Sequence, residues 1–183
     1  MATNNNYPKG SEWRKWDLHV HTPETKLNDE YKLDNDDVWA KFCETLENSD
    51  VSVFGITDYF SIDNYFKFIE KFNEKHPNSK KVFFPNIEFR IDSKNNKNEH
   101  IQIHVIFSNS LEKKKLDNFL TRLKLVSTDN SQLTNKYCTN DDLSEVSYEK
   151  AMITLEALTN KLKDDFAEVE YLILGVSNGY GSL

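Results

Sequence analysis

The chain is short of cysteine, of long apolar runs and of positive charge, and each shortage removes a class of function. Cys43 and Cys138 stand alone, with no CxxC spacing, which argues against a disulfide framework and against a thiolate zinc site. No apolar run approaches the roughly 20 residues that a membrane-spanning helix needs. The opening MATNNNYPKG lacks the apolar core of a secretory signal, so the expected compartment is the cytoplasm, with no membrane partner. Lys and Arg number 23 against 30 Asp and Glu, a net charge of −7. An acidic field disfavours tight nonspecific binding of nucleic acid. Phosphate chemistry stays open, because bound divalent metals bring their own positive charge. The runs Lys80-Lys81 and Lys113-Lys114-Lys115 read as solvated faces.

What is present is a globular composition, 38% hydrophobic and 13% aromatic, in 183 residues, enough for one domain with a real core. Residues 1–12 read as a flexible arm and 13–183 as the domain. Five apolar segments read as strands: WDLHVHT (16–22), VSVFGIT (51–57), KVFFPNIEF (81–89), IQIHVIF (101–107) and EYLILGVS (170–177). Pro85 points to an irregular or edge position for the third. Between them, Val38, Trp39, Phe42 and Leu46 fall at helical spacing after Asp36-Asp37. Ile62, Tyr65, Phe66, Ile69 and Phe72 do the same after a capping Ser61, and Leu116, Phe119, Leu120 and Leu123 mark a third helix. A polar loop is expected over 127–146 and a helix from about Ser147 to Asp164. Strands alternating with helices predict an α/β domain with a largely parallel sheet, open or curled into a barrel.

In such folds functional groups gather at the C-terminal ends of strands. The polar residues that interrupt the apolar runs fall there: His19 and His21 on the first strand, Asp58 on the second, Glu88 on the third and His104 within the fourth. Side chains two apart on a strand share a face, so His19 and His21 can converge on one ion. Imidazole and carboxylate are ligands for zinc, manganese or iron, and a carboxylate can bridge two metals. A lone strand histidine is ordinarily a satisfied core or surface residue; the conjunction of HxH, TD, IE and a strand histidine is what points to a metal site. His76, in EKHPNS, reads as a surface residue. His100 shares a strand face with His104, and His104 is preferred for its more apolar flanks. Arg90 shares a face with Glu88, where it can contact a substrate phosphate or pair with that carboxylate.

The ordered motifs DLHVHT, GITD, PNIE and HVIF resemble those of PHP (polymerase and histidinol phosphatase) domains, metal-dependent phosphoesterases on a distorted (β/α)7 TIM-like barrel. The stretches GSEWRKWDLHVHTP, ITDYFSID and FPNIEFR are similar to PHP domains at the N-terminus of SMC-like or AAA-type ATPases linked to anti-phage defence. The resemblance implies that His19 and His21 bind a first metal, that Glu88 bridges two, that His104 binds the second, and that Asp58 orients or deprotonates the attacking water. Tyr59 stands where the family has the histidine of TDH, Leu27 lies near the place of another family histidine, and none follows His104, so a two-metal, partial barrel is expected. The implied function is a phosphoesterase, a nuclease acting with two Mn, Zn or Fe ions, attached to or partnered with an ATPase; an oligomer is compatible with it. Two alternatives stay open: a noncatalytic module that serves assembly or gating of an ATPase, and a small-molecule phosphatase of the histidinol-phosphate type.

Overall fold

The computed structural model describes residues 14–27, 38–127 and 135–175. The expected arm at 1–12, the acidic pair Asp36-Asp37 and the end of the last expected strand lie outside them. Strand β1 (Lys15–His21) leads through helix α1 (Val38–Asn48) to β2 (Val51–Tyr59), then through α2 (Asp63–Lys75) to β3 (Val82–Lys94) and on to β4 (His100–Phe107). Helix α3 (Lys113–Leu120), the short β5 (Val126–Ser127), α4 (Asn140–Val146), β6 (Ala151–Met152), α5 (Leu155–Asp165) and a 3-10 turn at Glu168–Glu170 precede β7 (Tyr171–Gly175).

The sheet corrects the barrel expectation. It has five strands in the order β1-β2-β3-β4-β7 and is open, with β1 and β7 at opposite edges. The pairs β1–β2 and β2–β3 are parallel, but β3–β4 and β4–β7 are antiparallel. The physical cause lies at 95–99. A parallel return needs a crossover of about a dozen residues or more, and this connection is a tight turn in which Asn95 accepts from the amides of Lys97 and Glu99. The chain therefore folds back as a hairpin where a (β/α)7 barrel requires another helical crossover. Pro85 also corrects its expectation, since β3 is a central strand. It lies one residue before the first β3–β4 pair, Asn86 with Ile106, so its missing N–H falls at the end of that ladder.

The strands divide their residues between two faces. Phe54 and Ile56 of β2, Phe83, Ile87, Phe89 and Ile91 of β3, and Ile103, Val105 and Phe107 of β4 belong to a core shared with the helices. Phe83 packs on Phe68 and Phe72 of α2, while Phe119 of α3 packs on Phe89 and Phe107. Register places Thr57 beside Asn86, Tyr59 beside Glu88, and Glu88 beside His104, all on the opposite face.

Elsewhere, local chemistry set boundaries that periodicity did not. Thr139 caps α4 by accepting from the Asp142 amide, inside the stretch expected to be loop. The helix expected from Ser147 begins only at Leu155, where the Thr154 side chain accepts from the Ala157 amide. Ser147 itself has φ 73°, a left-handed turn that ends α4. Ser61 sits one residue outside α2, whose N-cap is Ile62, and accepts from the Asp63 amide. The lysine runs are more engaged than solvated faces: Lys81 donates to the carbonyls of Ser49 and Val51, Lys113 bridges Asp63 and Asp117, and Lys115 pairs with Glu170.

Candidate metal centre

The four expected ligands come from three strands of the sheet: His19 and His21 from β1, Glu88 from β3 and His104 from β4. His19 Nε2 lies 2.9 Å from His21 Nε2 and 3.3 Å from Glu88 Oε2, and His21 Nε2 lies 3.2 Å from the same oxygen. One donor atom from each of these residues falls within 4.8 Å of the others. His104 joins them, its Nε2 3.9 Å from Glu88 Oε2 and its ring 4.2 Å from that of His19. Donors at zinc-like distances of about 2.0–2.2 Å from an ion sit about 2.9 Å apart at a right angle and about 3.4 Å apart at the tetrahedral angle. The three short separations fall in that span.

A bulge in β1 makes the convergence. Regular alternation puts Asp17 opposite Phe54, but Val20 already stands opposite Ile56, so β1 fits an extra residue there. The Asp17 carboxylate accepts from the His19 amide across the bulge. Gly55 permits it: a Cβ at that position would lie 2.2 Å from the Leu18 carbonyl oxygen. The Leu18 carbonyl in turn accepts from Asn86 Nδ2 at 2.8 Å, tying β1 to β3 across β2.

Glu88 is 1% exposed, and neither of its carboxylate oxygens receives a well-directed hydrogen bond. Burial alone would raise its pKa; the imidazoles of His19, His21 and His104 outweigh that and hold it down at about 2. Burial also lowers His104, to about 4, so both groups are in the metal-binding form at neutral pH. The proton of His104 is placed by its neighbour. Asn86 Nδ2 lies 2.9 Å from His104 Nδ1, but its two hydrogens go to the Leu18 carbonyl and to Thr57 Oγ1, each at 2.8 Å. Asn86 Oδ1 remains, 3.2 Å from His104 Nδ1, and accepts from it. His104 therefore turns a lone pair on its buried Nε2 toward an anionic carboxylate. That arrangement is repulsive until a cation lies between them, and it fits a divalent metal.

The other expected residues sit differently. Asp58 is buried and does not reach into the cluster; it accepts from Thr25 Oγ1, from the amides of Lys26 and Tyr59, and from Asn64 Nδ2. Arg90 is turned to the backbone, donating to the carbonyls of Tyr148 and Glu149. Tyr59 stacks on His21 with ring centres 4.9 Å apart, and Leu27 packs against the core. His100 faces the Ile91 carbonyl, and His76 is half-buried against Phe72 rather than on the surface. Asn86, Thr25, Asn64 and Gly55 were not singled out by sequence. Their signal was weak: Asn86 and Gly55 are a polar and a small residue inside apolar strands, Thr25 follows β1, and Asn64 lies in the first turn of α2. Comparison of the chain with protein-family models and with curated proteins returns no match. The candidate site therefore stands on its geometry.

Proposed function

We propose that His19, His21, Glu88 and His104 hold divalent transition metal and that the chain is a metal-dependent phosphoesterase, with phosphodiesters of nucleic acid as the substrate class. The observation that carries this reading is the buried Glu88 carboxylate, without a directed donor, facing the Nε2 atoms of three histidines. When bound, a divalent metal there supplies Lewis acidity at a phosphoryl oxygen and acidifies water for attack on phosphorus. The residues of this chain do the rest. His19, with a side chain 43% exposed, forms the solvent side of the cluster, and Glu88 at 1% forms its floor, so substrate approaches over His19. Glu88 keeps a second free oxygen, which lets one carboxylate serve two ions. His19, His21, Glu88 and His104 would together hold one ion, or two with Glu88 shared between the ions.

No helix among the described residues is long and apolar enough to cross a membrane. We place the chain in the cytoplasm, where buried Cys43 and Cys138 stay reduced. The motif resemblance supports nucleic acid over a small metabolite and an ATPase domain as partner. The test is hydrolysis of a chromogenic phosphodiester, single-stranded DNA, duplex DNA and a phosphomonoester with added Mn²⁺. The reading expects turnover that His21→Ala and Glu88→Gln abolish while the fold persists. A chain that binds metal but cleaves none of these is a noncatalytic module.

A further inference from the structure

Asp58 has every reason to be functional and no access to the cluster, and its hydrogen bonds explain both. The amides of Lys26 (3.2 Å) and Tyr59 (2.8 Å) and the Asn64 amide group (2.5 Å) can only donate to it. Asn64 is itself oriented by its bond to the Glu24 carbonyl. Asp58 therefore acts purely as an acceptor, and the fourth group beside it, Thr25 Oγ1 at 2.8 Å, gives it its single hydrogen. Thr25 Oγ1 also lies 3.2 Å from His21 Nδ1. With its hydrogen spent on Asp58, Thr25 can only accept there, so the proton of neutral His21 sits on Nδ1 and its Nε2 lone pair faces Glu88. We infer that Thr25 and Asp58 are positioning residues that lock His21 in the Nδ1–H tautomer and so select the nitrogen offered to the metal. This rests on the metal reading of the cluster. It makes the Thr25 hydroxyl the counterpart of Asn86: the outer nitrogens of His21 and His104 are each held by a buried polar side chain.

The test uses Thr25→Val, which keeps the shape and removes the hydroxyl, with Thr25→Ser as rescue. Asp58→Asn is avoided because it turns a buried donor toward other donors and threatens the fold. Ring ¹⁵N resonances of His21 are recorded in the metal-free chain, and Zn²⁺ and Mn²⁺ affinities are measured by calorimetry. The expected result is an Nδ1–H tautomer in the native chain and in Thr25→Ser. In Thr25→Val that tautomer is lost and affinity falls roughly 10–100-fold. An Nε2–H tautomer in the native chain overturns the inference, and so does a Thr25→Val chain that keeps both tautomer and affinity. If the native chain binds neither metal yet Thr25→Val alone shifts the tautomer, the relay stands and the metal reading falls.

Discussion

Gly55→Ala tests how the β1 bulge builds the cluster. The added Cβ would lie 2.2 Å from the Leu18 carbonyl oxygen and 2.7 Å from its carbon, against 3.4 Å for ordinary contact. The main chain must give way by 3.4 − 2.2 = 1.2 Å, and the clashing atoms are backbone, with no rotamer to absorb the shift. Leu18 immediately precedes His19 and carries the carbonyl that Asn86 grips, so the displacement reaches two ligands at once. Ligand positions in a metal site tolerate only about 0.2 Å. The expected result is a loss of about 1–3 kcal/mol in stability from overpacking, or roughly 2–12 °C in melting temperature. Metal affinity should fall at least tenfold. Gly175→Ala is the matched control, because a Cβ there meets nothing within 4 Å. Circular dichroism melts and calorimetric titration with Mn²⁺ read both effects. A Gly55→Ala chain that melts and binds like the native one refutes this account of the bulge.

Other outcomes follow from the same geometry. Because burial holds His104 at about 4 against an ordinary 6.5, the unfolded chain takes up that proton first as pH falls. The His104 contribution to metal-free stability should then fall by about 3 kcal/mol from about pH 6.5 to 4 and stay level below, while Glu88, held at about 2, sustains a further decline at lower pH. Urea midpoints between about pH 6.5 and 4 should show a shallower decline in His104→Gln. Arg90→Met should cost about 1.5–3 kcal/mol by removing a charged donor from two carbonyls. It should leave metal affinity within twofold, and a large affinity loss by calorimetry would place Arg90 at the cluster instead. Chelation should lower the melting temperature, and Mn²⁺ at a hundredfold excess over its Kd should add about 2.7 kcal/mol; a melt indifferent to both contradicts metal binding in the folded state.

The four candidate ligands were legible because each breaks an apolar strand pattern, but the β1 bulge that makes them converge was not. His104 over His100 was a choice of the same kind, and the register that sets His104 beside Glu88 agrees with it. The topology was not legible. Alternating elements carry no sign of strand direction, and the decisive feature was the shortness of the polar connection at 95–99 rather than any motif. Asp58 was found by its position, but an aspartate at a strand end does not announce that four donors will enclose it. Arg90 shares a face with Glu88 as alternation requires, but the segment before β6 lies alongside and its carbonyls claim the guanidinium. Both surroundings are set by residues outside the strand, Thr25 with Asn64 in one case and Tyr148 with Glu149 in the other. The spacing of residues along one strand contains neither.

The central claim is that His19, His21, Glu88 and His104 surround a cation. Elemental analysis of the purified native chain beside Glu88→Gln, with circular dichroism to show that both are folded, tests it most directly. The account predicts one or two equivalents of Mn, Zn or Fe in the native chain and a near-complete loss in the variant. A folded native chain that holds no such metal after incubation with each would contradict it, and so would equal metal content in the two.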